Sequence, residues 1–170
     1  MTLTIKTILV PTDFSENSEG ALDYAAALAA QFKAVLHLVH VCQVPFPATA
    51  TMDAVILPVP AWESEMRAAA ETEMAKLVGR LPAVVASSDI AVGSPPVCIV
   101  AAAVEHDVDL IVMGTHGRGP LMHALLGSVA ERVVRTAPCP VLTVKQPWSA
   151  MRSAPHALAL AGHLPEDSVA

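Results

Sequence analysis

Gly114-Thr115-His116-Gly117, a nine-residue spacer and then Gly127-Ser128 form the pattern in this chain best suited to holding an anion. Glycines let the backbone approach a ligand with no side chain in the way, and Ser128 with Glu131 has the spacing of a capping box, which marks a helix start. Such a start offers unpaired N–H groups and partial positive charge, both attractive to phosphate. A second candidate lies far away, in Pro11-Thr12-Asp13-Phe14-Ser15: the Asp13 carboxylate could accept hydrogen bonds from ribose or from an amine on a base. Plainer readings compete with these. Asp13 with Ser15 and Ser18 also suits the beginning of a helix, Ser128 with Glu131 would cap a helix in any protein, and glycines after a strand are often turn residues. Two glycine sites and a serine at one strand-to-helix junction are less common together, and they favour a ligand.

The chemistry is bounded by what is missing. There is no G-x-x-x-x-G-K-[ST] segment, so a P-loop with its lysine is excluded, and no G-x-S-x-G elbow. The glycine order is not G-x-G-x-x-G, and the segment does not follow the first strand, which disfavours a nicotinamide dinucleotide site. Among the seven histidines, His37 and His40 have opposite parity on a strand and make poor co-ligands. His116 sits in the glycine loop, where it could touch phosphate. His106 is placed to cap a helix C-terminus; His123, His156 and His163 read as surface residues. By residue type alone Met113 reads as core. Cys42, Cys98 and Cys139 form no C-x-x-C pair and read as incidental thiols.

Elements must position these residues. Ile5 to Val10 predicts a strand, ended by Pro11-Thr12-Asp13-Phe14-Ser15. Leu22, Ala25, Ala26, Ala29 and Phe32 predict a helix over 16–33, and Ala34 to Val41 a second strand. Four prolines mark 42–60 as a long connection. Trp62, Met66, Ala69, Ala70 and Leu77 trace a second helix, and a weaker third strand within 84–92 centres on Ile90-Ala91-Val92. Gly93-Ser94-Pro95-Pro96 combines a turn glycine, a capping serine and a first-turn proline ahead of a third helix to about Glu105. Asp109 to Met113 gives strand four, Ser128 to about Arg135 helix four, and Val141-Leu142-Thr143-Val144 strand five. This alternation predicts a parallel sheet with helices on both faces, in which ligands bind where the winding reverses. In the order 3-2-1-4-5 the Asp13 loop and the glycine loop flank one crevice.

At 170 residues, 54% hydrophobic and 15% charged, the chain suits one globular domain, expected over residues 1–145, with 146–170 as a C-terminal extension. A net charge of −6 makes nucleic acid a poor partner. No apolar run approaches the roughly 18 residues of a membrane span, and the amino terminus lacks a secretory pattern, so a cytoplasmic protein is expected.

Ile8-Leu9-Val10-Pro11-Thr12-Asp13-Phe14-Ser15, Asp109 through Arg118, and Gly127-Ser128-Val129-Ala130-Glu131-Arg132-Val133 resemble the universal stress protein family over about residues 3–145. The complete G-x2-G-x9-G-[ST] element resembles the family's nucleotide-binding branch. The resemblance implies an open, doubly wound five-stranded parallel sheet of the adenine nucleotide alpha hydrolase-like kind. It places adenine near Asp13 and Val41 and a triphosphate on the glycine loop. The matching positions are Pro11, Thr12, Asp13, Val41, Met113, Gly114, Gly117, Arg118, Gly127, Ser128 and Val129. It further implies ATP as ligand, with ADP or AMP as alternatives, Mg2+ or Mn2+ held mainly by the phosphates, and a homodimer paired through 141–144. A regulatory or sensor role in stress response is the leading expectation. The alternatives are a slow ATP hydrolase, with Asp13 or His116 positioning water, and a nucleotide-free interaction module.

Overall fold

The computed structural model describes residues 4–43, 59–81, 83–115, 117 and 126–145. Strand and helix alternate through them: β1 (Thr7–Thr12), α1 (Glu16–Phe32), β2 (Val35–Cys42), α2 (Val59–Arg80), β3 (Val85–Val92), α3 (Pro95–Glu105), β4 (Leu110–Gly114), α4 (Ser128–Thr136) and β5 (Val141–Val144). The strands form one sheet in the order β3-β2-β1-β4-β5, all neighbours parallel. This is the expected order. The connection 44–58 and the extension 146–170 lie outside the described residues.

Helices cover both faces because each strand alternates between two apolar surroundings. Ile8, Val10, Leu36, Leu38 and Val112 pack with Leu22, Ala25 and Ala29 of α1 and with Met74 and Leu77 of α2. Leu9, Val39, Ile111 and Met113 pack on the other face with Ile99 and Ala103 of α3 and Ala130 and Val133 of α4. Ile8, Leu9, Val10, Leu36 and Ile111 have no exposed surface at all. Burying each such side chain stabilises the fold by about 1.5–3 kcal/mol. Among the described residues no helix is long and apolar enough to cross a membrane.

Local chemistry sets the boundaries. Ser15 caps α1 by accepting from the Ser18 N–H, Glu16 and Glu19 complement the dipole in its first turn, and Lys33 closes it in the left-handed region at φ 56°. Pro95 and Pro96 open α3 without breaking a helical hydrogen bond. Gly93 precedes them at φ +146°, a backbone that side chains rarely tolerate.

Some boundaries depart from the sequence reading. β1 does not end at Val10 but runs on to Thr12. Lys6 O accepts from Val35 of β2 and Thr7 O from Asp109 of the β4 side, so even residues of β1 serve β2 and odd ones serve β4. The missing N–H of Pro11 therefore falls on the β4 side, where the recorded pairing covers only Ile8 and Leu9. β3 uses Val85–Val92 in full, despite Ser87-Ser88-Asp89, because it is an edge strand. In α2, Ala70 and Leu77 are buried as the stripe requires, but Ala69 is exposed and Met74 joins them in the core. Ser94 stands at the N-cap of α3 but its side chain makes no capping hydrogen bond.

Candidate functional site

β1 pairs with β4 through Ile8 and Leu9 and then passes through Pro11. Beyond that point the loops after β1 and β4 diverge around a cleft of about 530 Å³. That volume lies within the roughly 300–1,000 Å³ usual for small-molecule sites. Pro11, Thr12, Asp13, Val41, Met113, Gly114, Gly117, Gly127, Ser128 and Val129 all line it. Of the residues singled out from the sequence, Arg118 and His116 lie outside the described residues. Met113 belongs to the core, 5% exposed, and also reaches the cleft.

Asp13 meets both of its sequence readings, one with each oxygen. Its Oδ1 accepts from the Ser15 amide at 3.1 Å and from the Ser15 hydroxyl at 2.6 Å, which orients the serine that caps α1. Its Oδ2 faces the glycine loop: a Cβ built on Gly117 would stand 2.6 Å from it. A side chain at 117 could enter only by displacing this carboxylate. The turn carrying Asp13 is tied from below. Phe14 N–H donates to Thr12 Oγ1 at 3.0 Å, Ser18 Oγ lies 3.2 Å from Thr12 Oγ1, and Ser18 Oγ donates to Ser15 O at 2.9 Å. The buried hydroxyls of Thr12 and Ser18 thus satisfy one another in a chain that polarises cooperatively.

Across the cleft, Thr115 fixes the glycine segment at both ends. Its N–H donates to Val144 O of β5 at 3.0 Å, and its carbonyl accepts from Gly127 N at 2.7 Å. The expected capping box is absent. Gly127, not Ser128, is the N-cap of α4, and Glu131 pairs instead with Arg135 at 2.7 Å. A glycine cap has no side chain to occupy the first N–H groups, so among the described residues no side chain caps the helix start that faces the cleft. Gly127 sits at φ −69°, a backbone open to any residue, so its value there is room rather than conformational freedom. No lysine or arginine is among the described residues lining the cleft.

The universal stress protein family model matches residues 4–145. The chain belongs to the universal stress protein family. A universal stress protein of Methanocaldococcus jannaschii is 39% identical over 149 residues, which cover 84% of this chain and 83% of that protein. The solved structure of the universal stress protein UspA from Lactobacillus plantarum matches with a TM-score of 0.69 at 27% identity, over 85% of this chain and 100% of that one. A universal stress protein solved in complex with cAMP matches with a TM-score of 0.58 at 26% identity, over 84% of this chain and 98% of that one.

Several lining residues of this universal stress protein escaped the sequence reading. Ser18, Val39, His40, Cys42, Gln43, Met66, Pro95, Ile99, Thr115 and Ala130 also reach the cleft. Parity and strand-end position could have found His40 and Gln43; Met66 and Ile99 arrive through helix packing, which a local pattern does not encode. His37 and His40 do separate, as their parity requires. His40 Nδ1 bonds the Thr12 carbonyl at 2.8 Å and its ring stacks on Phe14. His37 Nδ1 is 2.7 Å from Ser87 Oγ, and its ring stacks on His106, which stands at the C-cap of α3 and lies 3.3 Å from Asp89. Burial, then the neighbouring His106, holds the His37 pKa below its ordinary value against an opposing pull from Asp89. The three cysteines are free thiols. Burial pushes the thiols of Cys42 and Cys139 up, away from the reactive thiolate. Among the described residues no group of three or more His, Cys, Asp or Glu could hold a metal. His123, His156 and His163 lie outside the described residues.

Proposed function

We propose that this universal stress protein binds an adenine nucleotide, ATP foremost, in the cleft between the β1 and β4 loops, and acts as a nucleotide-dependent regulatory protein rather than a fast enzyme. The observation that carries the reading is the apposition of two unlike surfaces across one cleft. On one side stand Asp13 and Val41, suited to a nucleoside; on the other are Gly114, Gly117 and the α4 start opened by Gly127, suited to phosphates. The family relative solved with cAMP supports an adenine nucleotide as the ligand class. The described lining provides no cationic side chain for a triphosphate. Backbone N–H groups and a divalent ion riding on the phosphates would supply the balance.

The regulatory reading rests on the described lining of the cleft. Among those residues Asp13 is the one carboxylate, and its Oδ1 is committed to Ser15. We take the domain that does this work to span residues 1–145, with 146–170 as a C-terminal extension.

Calorimetric titration of ATP into wild type, Gly117→Ala and Gly127→Ala tests the site. Both variants are expected to fold and to lose affinity by about tenfold or more, equivalent to roughly 1.4 kcal/mol. Unchanged affinity in both removes the phosphate cradle. Turnover under saturating ATP tests the role: hydrolysis of about one per second or faster, in the range of ordinary enzymes, would replace the regulatory reading with the hydrolase one.

A further inference from the structure

We propose that His40 is the positioning residue of the nucleoside side of this cleft, holding the Thr12-Asp13-Phe14 turn in the one conformation that turns Asp13 toward Gly117. The inference rests on the nucleotide reading above and adds a residue to it. The turn is short: β1 ends at Thr12 and α1 begins at Glu16, so three residues reverse the chain. Phe14, the middle one, sits at φ 60°. That left-handed region is sterically poor for an aromatic side chain, and a residue stays there only where its surroundings hold it.

His40 provides much of that hold. It stands directly beside Thr12 in the β1–β2 register. Its Nδ1 bonds the Thr12 carbonyl at 2.8 Å, and its ring stacks on Phe14 with centroids 4.4 Å apart and planes 29° from parallel. A carbonyl only accepts, so the ring proton resides on Nδ1, and one tautomer is selected. One side chain thus grips the residue before Asp13 and the residue after it. Thr12 Oγ1 also accepts from the Phe14 amide at 3.0 Å. Release of Phe14 toward the right-handed region would swing the intervening Asp13, whose Oδ2 now lies where a Gly117 Cβ would be.

The test compares ATP affinity in wild type, His40→Leu, His40→Asn, His40→Phe and the double variant His40→Leu with Phe14→Asn, each checked for folding by its melting transition. His40→Leu removes both grips and is expected to weaken ATP binding by about tenfold, the scale of one lost hydrogen bond with its turn. His40→Asn keeps an N–H donor at the Nδ1 position and His40→Phe keeps the stacked ring, so each is expected to lose less. These two also carry the comparison if the leucine variant does not fold. The double variant is decisive: asparagine tolerates the left-handed region far better than phenylalanine, so it should restore part of the affinity. A purely structural role for His40 would gain nothing from that second change. Wild-type-like affinity in His40→Leu, or no recovery in the double variant, overturns the proposal. A wild-type chain that does not bind ATP rejects the nucleotide reading itself, which the first titration already shows.

Discussion

Asp13 sets the electrostatic problem of the cleft. A carboxylate close enough to Gly117 to exclude a methyl group stands on the same opening as the glycine loop and the α4 start. Unit charges about 4 Å apart near a protein surface interact by about 4 kcal/mol before salt screening. On the nucleotide reading that charge repels any phosphate approaching Gly117 from the opposite side of the cleft, and a divalent cation carried by the phosphates would offset the repulsion. ATP affinity is therefore expected to fall by roughly tenfold or more when a chelator removes divalent ions. In Asp13→Asn the same treatment should cost less, because the repelling charge is gone while the amide keeps hydrogen-bonding capacity. Titration of both proteins with and without chelator measures the difference. Equal dependence on the metal in both would show that the Asp13 charge is not felt at the phosphates.

The helices show where local sequence suffices and where it misleads. Ser15 was legible as part of a helix start because a serine before Glu16 and Glu19 satisfies the first N–H groups whatever the tertiary setting. Ser15→Ala is expected to destabilise the fold by about 1 kcal/mol, seen as a lower melting temperature. It also removes the hydroxyl's 2.6 Å bond to Asp13 Oδ1 and leaves only the amide of residue 15 to hold that oxygen, so ATP binding should weaken with it. The same rule failed at α4: Ser128 and Glu131 have the right spacing, but Gly127 takes the cap and Glu131 turns to Arg135. Strand alternation and the facing of the Asp13 loop and the glycine loop could be read from patterns along the chain, while the sheet order and the full set of ten cleft residues came with the family resemblance. Contacts made by packing distant elements could not, among them the meeting of Asp13 with Gly117 and the grip of His40 on Phe14. At the other end of β2, His37 couples β3 and α3 to pH. Its folded pKa lies below the ordinary 6.5, so between the two values the unfolded chain binds a proton that the folded chain refuses. This contribution to stability is complete above about pH 6.5 and is lost as pH falls through the lowered value. Melting followed across that window should show the slope in wild type and a shallower one in His37→Asn.

The sheet ends in two edges of different character. β3 is guarded by Ser87, Ser88 and Asp89, whereas β5 reads Val-Leu-Thr-Val with its first three residues only half-buried. An uncharged edge of that kind invites pairing, and a second copy of the chain is the partner the family resemblance implies. The hydrogen bonds say which residues would do it. Pro140 O accepts from Ile111 N and Val144 O from Thr115 N, so even-numbered residues of this strand serve β4. Val141 and Thr143 consequently present their backbone groups to the open side. Thr143→Pro removes one outward N–H and no bond to β4, a change that edge strands tolerate. The wild-type chain is expected to sediment as a dimer and Thr143→Pro as a monomer, with circular dichroism unchanged. ATP affinity should stay close to wild type in the monomer, because the cleft lies between the β1 and β4 loops and no residue of 141–144 is among those that line it. A monomeric wild type would reject pairing through β5. A dimer that survives Thr143→Pro would move the interface to another surface.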